Sequence, residues 1–145
     1  MTVIAWDGKT LAADKQGTYS NLARTTTKIY RLESNEIIAF CGTIGTHHVL
    51  LDWYKSGADR EKWPWELQRS AEWANIIIAD KTGVRFCDQT PFFRYVEDST
   101  MAWGCGADFA IGAMAMGADA VKAVEIVSKY CEGCGCGVDS FSIEK

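Results

Sequence analysis

The sequence predicts an α+β fold, a four-layer αββα sandwich in which two stacked, mainly antiparallel sheets are flanked by helix pairs. Segments with strand-like patterns occur in runs, and segments with helix-like patterns occur in pairs between these runs. This order differs from the strand–helix–strand alternation of parallel sheets, and it fits sheets that stack face to face. The sequence contains no evident linker, low-complexity tract or internal repeat, so we expect residues 1–145 to form one domain.

The expected strands are short and are bounded by turn signals. Asp7-Gly8 is a strong hairpin signal between the first two strands. Residues 36–41 are almost continuously apolar, which is typical of a strand buried on both faces. Residues 15–27 are polar, and we expect them to form a connecting loop. The expected strands are residues 2–6, 10–14, 28–32, 36–41, 75–80, 84–87, 92–96, 101–103 and 138–143.

Four helices are expected between these strands. The first spans residues 43–54, where apolar residues recur on one helical face, and Ser56-Gly57 ends it. The second begins at Pro64, because proline is favoured in a first helical turn, and its apolar face continues toward residue 74. Gly117 separates the last two helices, which span residues 107–116 and 118–129.

The bulk composition is that of a globular protein. Hydrophobic residues make up 48% of the 145 positions, and the formal net charge is -4. A net negative charge argues against nucleic acid or an anionic membrane as the main partner. No apolar stretch approaches the roughly 20 residues of a membrane span, and no basic segment leads into a signal-type core, so we expect a cytoplasmic protein. The 6 cysteines are then expected to be reduced thiols or ligands.

Thr2 is a candidate catalytic residue because it directly follows Met1 and opens an apolar run. Loss of Met1 would leave a threonine that carries both a hydroxyl and a free α-amine. An α-amine has a reference pKa of ~7.7–8.0, so it can accept the proton of the hydroxyl near neutral pH. A threonine activated by its own amine is an established nucleophile. A Met-Thr start is common, so the hypothesis depends on the residues that follow.

Several short motifs occur in a definite order after Thr2. They are Asp14 at the end of Ala12-Ala13-Asp14, Lys28 at the start of Lys28-Ile29-Tyr30-Arg31-Leu32, Gly42 and Gly45 in Cys41-Gly42-Thr43-Ile44-Gly45, and the segment Ala102-Trp103-Gly104-Cys105-Gly106-Ala107. In this order the chain resembles the proteasome β-subunit family of N-terminal-nucleophile (Ntn) hydrolases, and most nearly the bacterial HslV type. The resemblance spans most of the chain and implies a threonine-type endopeptidase.

The resemblance also implies a role for each motif residue. Thr2 would be the nucleophile, Lys28 would lower the proton affinity of its amine, and Asp14 would orient and pair with the lysine. These roles agree with electrostatics, since a positive charge disfavours protonation of a nearby amine and a buried lysine needs a carboxylate. Gly42 would donate its backbone N–H to the oxyanion. Cys105 stands where the family has a serine that supports the α-amine.

Two residues near Gly42 are candidates for binding substrate. Phe40 lies two positions earlier on the same expected strand face, and we expect it to wall the pocket and to favour small or modest apolar side chains. Ile44 is the other candidate. The resemblance implies a peptide or unfolded-protein substrate, a homo-oligomeric ring and a separate ATP-dependent unfoldase. The chain itself has no Gly-x-x-x-x-Gly-Lys loop for a nucleotide.

Two departures from the family pattern support another function. The spacing from Thr2 to Asp14 is a few residues shorter than is usual in the family, and Cys105 replaces a serine. A non-catalytic ring or assembly subunit with the same fold is therefore the alternative. The second supporting acid of the family has Glu132 as its nearest candidate. A nucleophilic Cys105 is a further alternative, but it would need a base, and neither histidine can be placed beside it from the sequence.

The cysteine-rich segment 131–137 allows three interpretations. Its thiols could bind zinc or an iron–sulfur cluster, but structural zinc needs four ligands and the segment offers three. The resemblance implies instead that backbone carbonyls of Cys131, Cys134 and Gly137 hold a structural Na⁺ or Mg²⁺ ion, with no cofactor required for the chemistry. The third interpretation is a glycine-rich turn with small buried thiols.

Tryptophan is concentrated in one part of the chain. Its spacing is helical, and we interpret the cluster as a subunit interface. The four tryptophans are Trp53, Trp63, Trp65 and Trp73.

Overall fold

Two antiparallel sheets stack face to face in the computed structural model, which describes residues 1–69 and 73–144. The strands are β1 (Val3–Trp6), β2 (Thr10–Asp14), β3 (Gln16–Tyr19), β4 (Leu22–Thr25), β5 (Ile29–Arg31), β6 (Ile37–Gly42), β7 (Ala74–Asp80), β8 (Gly83–Cys87), β9 (Arg94–Tyr95), β10 (Met101–Gly104) and β11 (Val138–Ser142). The helices are α1 (Ile44–Lys55), α2 (Trp65–Arg69), α3 (Ala107–Ala115) and α4 (Ala120–Tyr130), with a 3₁₀ turn at Arg60–Lys62.

The strands form two sheets and one separate hairpin. The N-terminal sheet has the order β10-β1-β2-β11, and the central sheet has the order β5-β6-β7-β8-β9. All pairs are antiparallel. The Asp7 side chain accepts hydrogen bonds from the backbone N–H groups of Lys9 and Thr10, which closes the predicted turn between β1 and β2. The predicted α+β fold is confirmed.

Three apolar layers hold the sheets and helices together. One lies between the two sheets, one lies between the N-terminal sheet and the helices α3 and α4, and one lies between the central sheet and α1. In β1, Val3 packs toward the helices while Ile4 packs toward the central sheet. Because both faces of β1 and β6 are covered, these strands read as continuous apolar runs.

The prediction of a loop over residues 15–27 is wrong, because this stretch forms the hairpin β3–β4. Gln16 pairs with Thr25 and Tyr19 pairs with Leu22, and Ser20 reverses the chain with a φ of 54°. The β4 residues are all exposed. A hairpin that buries little surface needs no apolar alternation, so the pattern that predicts a half-buried strand is absent.

The interpretation of the tryptophan cluster as an interface is also corrected in part. Trp53 and Trp63 pack against each other with ring centroids 4.7 Å apart, and both are buried against the central sheet. Trp65 is exposed in α2. The second helix begins at Trp65, one residue after the predicted start, and the prediction for residues 70–72 lies outside the described residues.

No helix in the described part of the chain is long and apolar enough to cross a membrane.

His47 makes the stability of this fold depend on pH. It lies in the first turn of α1, is 2% exposed and stacks on Phe40, and burial lowers its pKa to about 4. Protonation therefore favours the unfolded state, whose histidine has a pKa near 6.5. The free energy of unfolding is expected to fall as the pH drops from about 6.5 toward 4, by roughly 2 kcal/mol from this residue at pH 5.

The substitution His47→Gln is expected to remove this contribution. Urea unfolding at several pH values would measure it as a flatter pH profile than that of the parent protein. His48→Gln alters the exposed neighbouring residue and is the matched control. If the free energy of unfolding of His47→Gln changed with pH as steeply as that of the parent, the pH dependence would not come from His47.

Candidate active site

A buried ion pair lies between the ends of the two sheets. Lys28, just before β5, places its Nζ 2.8 Å from Oδ1 of Asp14, the last residue of β2, and the side chains are 1% and 0% exposed. The Asp14 carboxylate also accepts the backbone N–H groups of Val3, Gln16 and Gly135 at 3.1–3.2 Å. A buried ion pair is tolerated when further hydrogen bonds satisfy its charges, and these donors meet that condition.

The ion pair faces the N-terminal end of β1. Lys28 Nζ donates a hydrogen bond of 3.0 Å to the carbonyl oxygen of Met1. The nitrogen of Thr2 is joined to that oxygen by one C=O and one C–N bond, so it lies at most about 5.6 Å from Nζ. Thr2 itself is 4% exposed. The structure therefore brings together Thr2 before β1, Asp14 at the end of β2 and Lys28 before β5.

Glycines allow other parts of the chain to approach Thr2 closely. Gly104 has a φ of +97°, and a Cβ at this position would overlap the carbonyl group of Thr2. The backbone N–H of Gly106 lies 3.4 Å from the same carbonyl oxygen, and the Cys105 thiol lies 3.5 Å from it. The segment Gly104-Cys105-Gly106 thus wraps around Thr2, and glycine is required for this approach.

Gly42 ends β6 and lines an open cleft together with Thr2. Its φ is +131°, and a Cβ there would lie 2.5 Å from the carbonyl oxygen of Trp73, so only glycine fits. The cleft has a volume of about 580 Å³. Its lining residues are Met1, Thr2, Thr18, Tyr19, Cys41, Gly42, Thr43, Ile44, Gly45, Trp73, Gly104 and Cys105. Thr2, Gly42, Ile44 and Cys105 were expected in one site, and they share this cleft.

Phe40 does not line the cleft, which corrects its predicted place in the pocket wall. Its side chain has no exposed surface and packs in the layer between the central sheet and α1, where it stacks on His47. Alternation along β6 does place Phe40 and Gly42 on one face. That face is covered by α1, and the sequence pattern of a strand does not reveal what covers it.

The hairpin β3–β4 adds cleft residues that the sequence analysis missed. Thr18 and Tyr19 of β3 line the cleft, and Tyr19 is exposed. A polar stretch without apolar alternation predicts a loop, and a loop prediction gives no strand face on which to place these side chains. The Ser20-Asn21 pair between two β-compatible stretches was the available signal for a turn.

Three thiols lie beside Thr2. Cys105 Sγ is 3.9 Å from Cys131 Sγ and 3.7 Å from Cys134 Sγ, and all six cysteines are free. Burial, reinforced by the negative charge of Asp14, raises the pKa of the Cys134 thiol above its usual range. Cys136 is exposed and lies outside this cluster.

The predicted site for Na⁺ or Mg²⁺ uses backbone carbonyls of the 131–137 segment, not its thiols. The carbonyl oxygen of Cys131 accepts the N–H of Cys134 at 3.1 Å, and Gly137 adopts a φ of +112°. Glu132 is exposed, and its backbone carbonyl accepts a hydrogen bond from Gln16. The two ideas, a carbonyl-bound ion and a supporting acid at Glu132, stay predictions.

A nucleophilic Cys105 would need a base in the cleft. His47 is buried against Phe40, and His48 is exposed on α1. Neither histidine is among the described residues that line the cleft. The arrangement therefore favours Thr2, whose base would be its own amine, over the thiol.

Comparisons with known proteins support the fold. No protein-family model matches the sequence, and no curated protein matches it at a significant level. Among solved structures, the eukaryotic HslV from Trypanosoma brucei is 19% identical with a TM-score of 0.77, and the match covers 99% of each chain. A Thiobacillus denitrificans protein named BPH, solved alone and in complex with epoxomicin, is 19% and 20% identical, with TM-scores of 0.75 and 0.76. These matches cover 99% of this chain and 98% of BPH.

These likenesses confirm the fold that the resemblance implied. The chain is similar along nearly its whole length to these solved structures and shares their fold of stacked antiparallel sheets covered by helices. At about 20% identity the agreement concerns the fold.

Removing the lysine of the ion pair is expected to destabilise the protein strongly. Lys28→Met leaves the Asp14 charge buried and unpaired, which costs about 3–5 kcal/mol. Lys15→Met is the matched control, because Lys15 pairs with Asp139 at the same 2.8 Å but both side chains are partly exposed. The control is expected to cost no more than about 1 kcal/mol. Urea denaturation measures the free energy of unfolding of both variants. Similar losses in the two would show that burial of the Lys28–Asp14 pair does not raise the cost of removing its lysine.

Crowding around Thr2 is tested by two glycine substitutions. Gly104→Ala places a methyl group onto the Thr2 carbonyl, whereas Gly117→Ala introduces one at a similar φ of +107° into open space. The control is expected to lose about 1–2 kcal/mol from backbone strain alone. Gly104→Ala should lose clearly more in thermal or urea unfolding. Equal losses of stability in Gly104→Ala and Gly117→Ala would show that the close approach of Gly104 to the Thr2 carbonyl does not stabilise the fold.

Proposed function

We propose that the chain is a subunit of a self-compartmentalising threonine endopeptidase, in which Thr2 becomes the N-terminal residue and hydrolyses peptide bonds. The observation that carries this proposal is the hydrogen bond from the buried Lys28 to the carbonyl oxygen directly preceding Thr2. Hydrolysis of the Met1–Thr2 peptide bond would remove that carbonyl together with Met1 and leave the Thr2 nitrogen as a free α-amine. The lysine would then stand beside the amine that has to act as a base.

Each residue of the site has a physical role in this reaction. The positive charge of Lys28 disfavours the protonated amine, and Asp14 keeps the lysine charged in its buried position. The neutral amine takes the proton of the Thr2 hydroxyl, and the hydroxyl oxygen attacks the peptide carbonyl. In this proposal the backbone N–H of Gly42, which lines the same cleft, donates a hydrogen bond to the developing oxyanion, and such a donor contributes roughly 2.7–4 kcal/mol.

The reaction then proceeds in two stages. The protonated amine gives its proton to the leaving nitrogen, which frees one peptide fragment and leaves an ester on Thr2. Water, deprotonated by the same amine, hydrolyses the ester and restores the hydroxyl. No cofactor is required by this chemistry. The substrate is an extended peptide or unfolded protein, which fits a cleft bordered by the end of β6 and by the β3–β4 hairpin.

The same proposal includes a closed homo-oligomeric ring in the cytoplasm, fed by a separate ATP-dependent unfoldase. A nonspecific nucleophile has to be kept away from folded proteins, and a ring achieves this. Exposed apolar side chains on α1 and α3 are available for subunit contacts. They are Val49, Phe109 and Ile111.

A non-catalytic ring subunit is the second candidate. The Met1 side chain packs so closely on Gly133 that a Cβ at Gly133 would overlap it, so a retained Met1 has a place in the structure. The short spacing between Thr2 and Asp14 also favours this candidate. Intact mass distinguishes the two functions, because the catalytic subunit has to begin at an unmodified Thr2.

Hydrolysis of a fluorogenic peptide library by matched variants tests the proposed function. Thr2→Ala keeps the strand and nearly all packing, and we expect it to lower hydrolysis by about 1,000-fold or more. Cys105→Ser should retain activity, because a hydroxyl can take the place of the thiol beside Thr2. Cys136→Ser, at an exposed position outside the site, is the control. Full activity in Thr2→Ala with loss in Cys105→Ser would transfer the nucleophile to the thiol.

Epoxomicin gives a second test, since the similar Thiobacillus denitrificans BPH binds it. We expect it to bind the processed wild-type protein and to inhibit hydrolysis. Thr2→Ala should lose this binding while its oligomeric state by light scattering is unchanged. Retention of Met1 throughout the purified protein, together with no hydrolysis, would instead establish the non-catalytic subunit.

A further inference from the structure

Three cysteines from separate parts of the sequence form one cluster. Cys105 lies between β10 and α3, Cys131 directly follows α4, and Cys134 lies three residues further on. Their sulfur atoms all lie within 4.8 Å of one another. The cluster combines an exposed thiol, a half-buried thiol and a buried one, so one side of it is open to solvent.

The sulfur spacing matches a single bound cation. Zinc binds thiolate sulfur at about 2.3 Å with tetrahedral geometry, which places any two sulfurs about 3.8 Å apart. The observed separations from Cys105 are 3.9 Å to Cys131 and 3.7 Å to Cys134. The third separation, between Cys131 and Cys134, is at most 4.8 Å, so one zinc ion could contact all three sulfurs after a modest side-chain adjustment.

The local sequence supports the same chemistry. Cys131-Glu132-Gly133-Cys134 has the Cys-x-x-Cys spacing of zinc sites. A hydrogen bond of 3.1 Å from the Cys134 N–H to the Cys131 carbonyl closes this turn and holds its two thiols together. The segment alone lacks further thiols in suitable positions, because Cys136 is outside the cluster. The fold supplies Cys105 as the third ligand.

We propose that Cys105, Cys131 and Cys134 form a binding site for a thiophilic cation, Zn²⁺, with a fourth position left for water on the exposed side. The site differs from a carbonyl site for Na⁺ or Mg²⁺, because its ligands are sulfur atoms, which select soft and borderline metals. It does not depend on the proposed peptidase activity.

Zinc binding would also change the protonation of the cluster. Each of the three thiols would release one proton to solvent as its thiolate binds the Zn²⁺. The cation would also fix the 131–135 turn, whose Gly135 N–H donates to Asp14.

Zinc binding is measured on the full chain, reduced, stripped with a chelator and kept free of oxygen. Competition with a chromophoric chelator should give one Zn²⁺ per chain, and Co²⁺ in its place should show thiolate-to-cobalt charge transfer. Cys105→Ser and Cys131→Ser should each weaken zinc binding by more than about 100-fold, since loss of even an outer-shell partner costs about 10–100-fold. Cys136→Ser, in the same loop, is the matched control and should bind as the parent does.

Each of several results would overturn the site. Among them are no stoichiometric zinc in the reduced parent, equal affinity in Cys105→Ser and the parent, and a disulfide within the cluster as the only product of thiol titration. Thr2→Ala separates this proposal from the peptidase, because it should bind zinc normally whether or not the parent hydrolyses peptides. Loss of zinc binding only in Cys136→Ser would also contradict the assignment.

Discussion

The buried ion pair between Lys28 and Asp14 constrains the rest of the structure. Neither charge reaches water, so the Asp14 carboxylate has to be satisfied by the lysine and by backbone N–H groups from β1, from β3 and from the turn after α4. These donors tie both sheets and that turn to one point. Any chain segment that supplies a donor can move only if the buried charge loses a partner.

The same constraint creates the candidate active site. The end of β1 has to come close to Lys28, and the Gly104–Gly106 segment then has to pass directly over Thr2. Glycine is needed because a side chain would overlap the Thr2 carbonyl. Thr2 is thereby held at the wall of a cleft that Gly42 also lines, with the positive charge of Lys28 close to it. Stability and the proposed chemistry thus depend on one arrangement.

The thiol cluster is adjacent to this arrangement and shares its electrostatics. Asp14 contributes to the raised pKa of Cys134, and the next residue, Gly135, donates its N–H to Asp14. A cation held by the thiols would therefore lie close to the ion pair. Cys105 contacts both the Thr2 carbonyl and the other two thiols, so this one residue links the proposed nucleophile to the proposed metal site.

Sequence alone determined the layers and the order of the candidate site motifs, because strands covered on both faces have to be continuously apolar and turn residues mark their ends. It did not determine the β3–β4 hairpin, since a ribbon exposed to solvent needs no apolar pattern. It also placed Phe40 on the correct strand face without showing that α1 covers it. The meeting of Cys105 with Cys131 was decided by tertiary structure, because α3 and α4 both lie between them along the chain and only the packing of these two helices against each other brings the sulfurs to 3.9 Å.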